Sequence, residues 1–178
     1  MSDSDGQHFQ RILVPVDFQP ADDEATEAGR AVVIGGHGIE FSPASLRAVG
    51  MAATIARASK GKIVLVHVTP AMQSTSMYTG PVTLPAAIIE EIESKARATS
   101  QGALRHLADQ HCAGLPVEFA IGPGHPAQCV LEEAARFQAD LIVMAASGRS
   151  RVARFFVGST ADRVIREAPC PVLVIPAR

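Results

Sequence analysis

The chain of 178 residues has no tryptophan and a single tyrosine, and aromatics make up 4% of it. That stock is too small for the stacking platforms on which single-stranded nucleic acid is bound. An excess of one charge is missing as well: 16 Lys and Arg oppose 18 Asp and Glu, a formal net charge of −2. Nothing holds a phosphate backbone non-specifically, so no nucleic-acid partner is expected. No apolar run approaches the roughly 18 residues of a membrane-spanning helix, and no membrane association is expected either. Cysteine is scarce, and Cys112, Cys129 and Cys170 form neither an even set nor a CxxC pair. They read as reduced, largely buried small hydrophobes of a cytosolic protein. The first residues, Met1-Ser-Asp-Ser-Asp-Gly, are acidic and lack the apolar core of a secretory signal, so the expected location is the cytoplasm. No GxxxxGK[ST] motif occurs, and Walker-type hydrolysis has no support.

What is present is globular: 47% apolar and 19% charged residues. The length suits one domain over residues 1–178, with a core large enough to stand without disulfide or metal. Five short runs rich in Val, Ile and Leu stand out, at 12–17 (ILVPVD), 62–68 (KIVLVHV), 116–121 (PVEFAI), 140–144 (DLIVM) and 171–176 (PVLVIP). Near-continuous apolar runs are the mark of parallel strands buried on both faces. Helical patterns lie between them. Ser42-Pro43 offers an N-cap and a first-turn proline, followed by Leu46, Val49, Ala53 and Ala56 on one stripe ending near Gly61. A longer helix over about 85–112 carries Ile88, Ile92, Ala96, Ala103 and Leu107 as its expected inward face. A third starts at Pro126 with Val130, Ala134 and Phe137 inward, and a fourth near Ser159 aligns Ala161, Val164, Ile165 and Ala168. The alternation predicts an α/β fold, an open doubly wound parallel sheet of five strands with helices on both faces.

Two segments exceed this minimal plan. Residues 19–41 separate the first strand from its helix, far more than the roughly 2–6 residues of an ordinary βα loop. They read as an insertion that either makes a turn of helix and a short extra strand or is mobile, and His37 in Gly-Gly-His-Gly reads as a loop residue. Residues 69–84 form a second polar loop, and both would sit above the carboxyl ends of the strands, where such folds bind ligands.

The chemistry concentrates in 141–160, LIVMAASGRSRVARFFVGST. Small residues and Gly148 follow a buried strand, and Gly158, Ser159 and Thr160 open the last helix. Open N–H groups and the dipole of a helix start favour an anion, and Arg149, Arg151 and Arg154 add positive charge. An ordinary strand–loop–helix with a plain serine cap is the simpler alternative.

Four linked segments resemble the universal stress protein family: ILVPVDF with Phe41-Ser-Pro-Ala-Ser, then VLVHV, then DLIVMAASGRS…VGST, then APCPVLVIP. With 19–41 set aside, the resemblance covers nearly all of the chain. It implies a strand order of 3-2-1-4-5 and a ligand, ATP or a related adenine nucleotide, with Mg²⁺ accompanying the phosphates. It places Pro15, Val16 and Asp17 at the adenosine, with Asp17 accepting from ribose or adenine, and Val68 beside the base. Met144, Ala145, Ser147, Gly148 and Arg149 would surround ribose and phosphates, and Gly158, Ser159 and Thr160 would grip the phosphates. An acceptor-only carboxylate suits ribose hydroxyls, and helix-start donors suit phosphate. One departure is plain: Ala145 stands where the family signature has its first glycine, which matters if that backbone needs φ > 0 or touches the ligand. The resemblance implies a stress-response protein, and the expected activity is binding with at most slow hydrolysis, since no general base or water-positioning residue is evident. It further implies a homodimer paired through the edge strand at 171–176. A nucleotide-free, dimeric interaction module of the same family is the alternative.

Other signals are weaker. Gly122-Pro-Gly-His-Pro-Ala127 matches GxGxxA, but its two prolines remove donors and the next strand does not end in an acid, so it reads as a turn into a helix. Ser147 lacks the GxSxG context of a hydrolase nucleophile. His67 reads as a core or ligand-edge histidine and His125 as exposed, while His106 and His111 fall on different helix faces, against a metal site.

Overall fold

The computed structural model describes residues 9–69, 85–146 and 158–176. Along the chain run β1 (Arg11–Pro15), β2 (Phe18–Pro20), α1 (Asp23–Glu27), β3 (Val32–Ile34), β4 (His37–Phe41) and α2 (Pro43–Ser59). There follow β5 (Lys62–Thr69), α3 (Ala86–His111), β6 (Val117–Pro123), α4 (Pro126–Phe137), β7 (Leu141–Ala145), α5 (Ser159–Glu167) and β8 (Val172–Ile175). The loop expected at 69–84 lies, from residue 70 onward, outside the described residues.

Five strands form the main sheet in the order β6-β5-β1-β7-β8, every pair parallel. Counted along the chain that is 3-2-1-4-5, as expected. The order reverses at β1, which lies between β5 and β7. Strand alternation divides the core between two faces. Ile12, Val14, Ile63, Leu65 and Val143 pack under α2 and α3, while Leu13, Val64, Ile142 and Met144 pack with Val130, Ala134 and Val164 of α4 and α5.

α2 begins as its sequence dictates. Ser42 Oγ accepts the Ser45 N–H at 3.1 Å and Pro43 occupies the first turn. The inward face is mostly alanine (44, 48, 52, 53 and 56), with Leu46 only half-buried at its margin. The helix ends one residue earlier than glycine placement suggests: Lys60, not Gly61, takes the left-handed conformation, with φ 54°. Gly61 is required for space, because a Cβ there would meet the backbone of Phe9 and Gln10 at 2.9 Å.

The inward face expected for the long helix holds only in its second half. Ala103, Leu104 and Leu107 are buried, but Ile88 and Ile92 are 44% and 40% exposed and Ala96 is exposed too. Twenty-six residues span about 39 Å, while the seven of β6 reach about 23 Å, so the helix overhangs the sheet it packs on. Ile165 of α5, also expected inward, is 45% exposed.

The insertion makes more structure than the single extra strand expected of it: β2, β4 and β3 form a separate antiparallel sheet. Gly35 and Gly36, with φ 57° and 84°, join β3 to β4 in the two-residue turn that positive φ at both positions permits. His37 is therefore a strand residue paired with Ile34 rather than a loop residue. Asp22 caps the short α1 by accepting the Ala25 N–H at 2.7 Å. Arg30 hydrogen-bonds Glu40 at 2.7 Å, which holds that carboxyl below its usual range. Phe18 pairs directly with Phe41, so the arm leaves and rejoins the domain at adjacent positions. The path from β1 to α2 stays short despite the added residues.

Candidate functional site

β1 lies between two parallel neighbours, β5 and β7, where the strand order reverses, and the crevice above the carboxyl ends at such a reversal is where open α/β sheets hold ligands. Val16, buried, donates its N–H to the Val66 carbonyl at 2.8 Å, which extends the β1–β5 ladder one residue past Pro15. Asp17 follows, half-buried, and its N–H donates to Ser45 Oγ at 3.3 Å. Ser45 is 1% exposed and lies 2.9 Å from the capping hydroxyl of Ser42, so the first turn of α2 is built onto the end of β1.

On the β5 side the strand ends in His67, Val68 and Thr69. Val68 alternates onto the α4 face, and beside it a cleft of about 160 Å³ opens between β5, β6 and α4, lined by Gly122, Pro123, Cys129 and Glu133. Burial pushes the Cys129 thiol up, away from a reactive thiolate, and Glu133 is paired with Arg136 at 2.6 Å. His67 is buried, places Nδ1 3.0 Å from the Val16 carbonyl, and stacks on Phe18 with ring centres 3.8 Å apart.

On the β7 side Met144 is buried and Ala145 half-buried, paired with Val174 and Ile175 of β8. Ala145 is regular strand and is not among the positive-φ residues, so its side chain carries no backbone strain. Gly158 donates its N–H to the Ala146 carbonyl at 2.7 Å, tying the start of α5 to the end of β7. Gly158 is the N-cap and supplies no side-chain hydrogen bond, so the N–H groups of Ser159 and Thr160 lie outside the hydrogen bonding of the helix itself.

The structure thus gathers Pro15, Val16, Asp17, Val68, Met144, Ala145, Gly158, Ser159 and Thr160 along the carboxyl edge of the sheet. Ser147, Gly148 and Arg149, with Arg151 and Arg154, lie outside the described residues. Ser45 and Phe18 were not legible as site residues; Ser45 carried one signal, its spacing three residues after the Ser42 cap. The GxGxxA stretch is a turn into α4: Pro126 occupies its first turn, and Gly124, φ 148°, donates its N–H to Thr69 at 3.1 Å. Asp140 lies at the opposite end of the sheet, where its carboxylate accepts the Gln10 and Arg11 N–H groups.

Fold and edge together define an open doubly wound α/β domain with its crevice at the strand reversal. Residues 36–176 match the family model described as the universal stress protein family. A universal stress protein of Thermus aquaticus is 33% identical over 132 residues, 72% of this chain and 88% of that protein. The chain belongs to the universal stress protein family. Solved structures share the fold. A universal stress protein from Lactobacillus plantarum, 24% identical, superposes with a TM-score of 0.64 over 94% of this chain and 98% of its own. A family protein from Arabidopsis thaliana with AMP bound, 19% identical, scores 0.59 over 95% and 92%. A universal stress protein in complex with cAMP, 23% identical, scores 0.59 over 96% and 99%.

Proposed function

We propose that this protein is a cytoplasmic stress-response protein that binds ATP or a related adenine nucleotide at the carboxyl edge of its sheet without turning it over. The observation that carries the reading is the tether from Gly158 N–H to the Ala146 carbonyl. It brings a helix start, whose first N–H groups the helix itself does not use, to the strand reversal where Asp17 follows β1 and Val68 stands next to last in β5. Phosphate oxygens are met by the Ser159 and Thr160 N–H groups and the positive end of the helix dipole. The Asp17 carboxylate accepts from the ribose, Val68 borders the base, and Met144 lies on the ribose and phosphate side. AMP and cAMP in the two solved relatives support this choice of ligand. Of the site residues only Asp17 carries a carboxylate, so a Mg²⁺ ion would be held chiefly by the phosphates and water.

The active form is a homodimer paired through β8. Among the described residues that strand lies at the sheet edge, bonded to β7, and its Val172, Leu173 and Val174 are only half-buried. An apolar edge with unpaired backbone groups is satisfied when two copies meet about a twofold axis.

Titration calorimetry of nucleotide-stripped protein with AMP and ATP tests the reading. Binding is expected, weakened about 10- to 100-fold in Asp17→Asn, the cost of a lost charged hydrogen bond. No heat at millimolar nucleotide would sink the proposal.

A further inference from the structure

Three contacts hold the backbone of Val16 and Asp17, two of them on the peptide that joins these residues. Val16 donates to Val66 at 2.8 Å, Asp17 donates to Ser45 Oγ at 3.3 Å, and the Val16 carbonyl lies 3.0 Å from Nδ1 of His67. A carbonyl only accepts, so Nδ1 carries a proton and donates. The imidazole is itself held by a stack on Phe18, 3.8 Å between centres at an interplanar angle of 15°. Phe18 is the first residue of the inserted arm, pairs with Phe41 and meets its ring edge-on at 5.5 Å. Phe41 in turn lies parallel to His106 of α3. The arm thus reaches the residue next to Asp17 on both sides, through Phe18 along the chain and through His67 across the sheet.

We infer that His67 and Phe18 form a clamp that aims the Asp17 carboxylate, so that the inserted arm sets how strongly this site prefers a ribose bearing its hydroxyls. The inference rests on the nucleotide-binding reading above. His67 is a positioning residue here: it acts through the Val16–Asp17 peptide, and the contact with the sugar is made by Asp17. A freely rotating peptide at this point would let the carboxylate swing away from the sugar, leaving base and phosphate contacts intact. The effect is therefore confined to the sugar hydroxyls.

The test compares AMP with 2′,3′-dideoxyadenosine monophosphate, which lacks both hydroxyls, by calorimetry, with thermal unfolding as a control. Wild type is expected to prefer AMP by about tenfold or more, the loss associated with a hydrogen bond to a charged group. His67→Phe keeps a ring over Phe18 but has no donor; its preference should fall to near unity through weaker AMP binding, with dideoxy affinity unchanged. His67→Asn carries an amide N–H at the same number of bonds from Cα as Nδ1 but no ring to stack, and should keep a preference between those of wild type and His67→Phe. Phe18→Leu keeps bulk, removes the ring face and should reduce it. An unchanged preference in His67→Phe or Phe18→Leu overturns the inference. So does an equal loss for both ligands, which marks a merely structural role. Should His67→Phe fail to fold, a preference reduced but not abolished in both His67→Asn and Phe18→Leu supports the clamp, and any other pattern in that pair overturns it. Wild type that binds AMP without preferring it removes the clamp and leaves nucleotide binding standing; wild type that binds neither removes both.

Discussion

Gly102 decides whether the arm is docked on the domain or merely attached to it. This residue lies inside α3, and a Cβ built on it would stand 2.6 Å from Cγ2 of Ile34 on β3. Ordinary contact between carbons is about 3.5–4.0 Å, so the methyl of Gly102→Ala would be roughly an ångström too close. Two effects oppose each other. Alanine inside a helix is favoured over glycine by about 1 kcal/mol. Overpacking a held side chain costs about 1–3 kcal/mol, and Ile34 is packed against the buried core. In the native background the net result is a destabilisation of about 0–2 kcal/mol. In the background of Ile34→Ala the obstructing Cγ2 is gone, and the same substitution should stabilise by about 1 kcal/mol. The double-mutant cycle therefore predicts a coupling of about 1–3 kcal/mol between the two sites. Urea unfolding of the four proteins measures it through the midpoint at constant slope. If Gly102→Ala stabilises by the same amount in both backgrounds, Ile34 does not rest on α3. The arm would then lack its second anchor.

Three more outcomes follow from the same geometry. Val174→Lys places a charge on the exposed edge strand and should yield a folded monomer in light scattering; a monomeric wild type at tens of micromolar ends the pairing idea. Ala145 is extended strand without strain, so Ala145→Gly should lower stability by about 0.5–1 kcal/mol and leave AMP affinity within about tenfold. A larger gain in calorimetry would show that its Cβ crowds the ligand. Burial pushes the thiols of Cys112, Cys129 and Cys170 up from the ordinary thiol value. A raised folded value keeps the proton on the folded chain longer than on the unfolded one. The stability these thiols contribute is complete below the unfolded value of about 8.5 and is lost as pH rises through the raised one. Urea midpoints should decline above about pH 8.5, less steeply in Cys112→Ala; an equal decline in that variant counts against the linkage.

The main sheet was legible because its causes are local. Runs such as 63–66 of β5 and Leu141–Ala145 are apolar at every successive position, which only strands buried on both faces tolerate. Ser42 and Pro43 wrote the start of α2 into adjacent positions, and Pro126 did so for α4. The candidate site was legible where its residues sit at the ends of those elements, as Asp17, Val68 and Gly158 do. What failed was anything that depended on a partner. Periodicity told which side of α3 is apolar but not how much of the helix has a sheet beneath it, so Ile88 and Ile92 were misplaced. The stop of α2 near Gly61 was legible, but the reason for that glycine was not, because Gly61 answers to the passing backbone of Phe9 and Gln10 rather than to helix geometry. Ser45 on Asp17, His67 on Val16 and Phe18 on His67 join positions far apart in the chain. By itself the sequence determined the strands, the helix starts and the edge at which a ligand would sit, since each follows from a residue and its near neighbours. The tertiary structure alone decided how the inserted arm folds back, which side chains hold Asp17 and how far α3 is covered, because each of these is a contact between segments that no local pattern encodes.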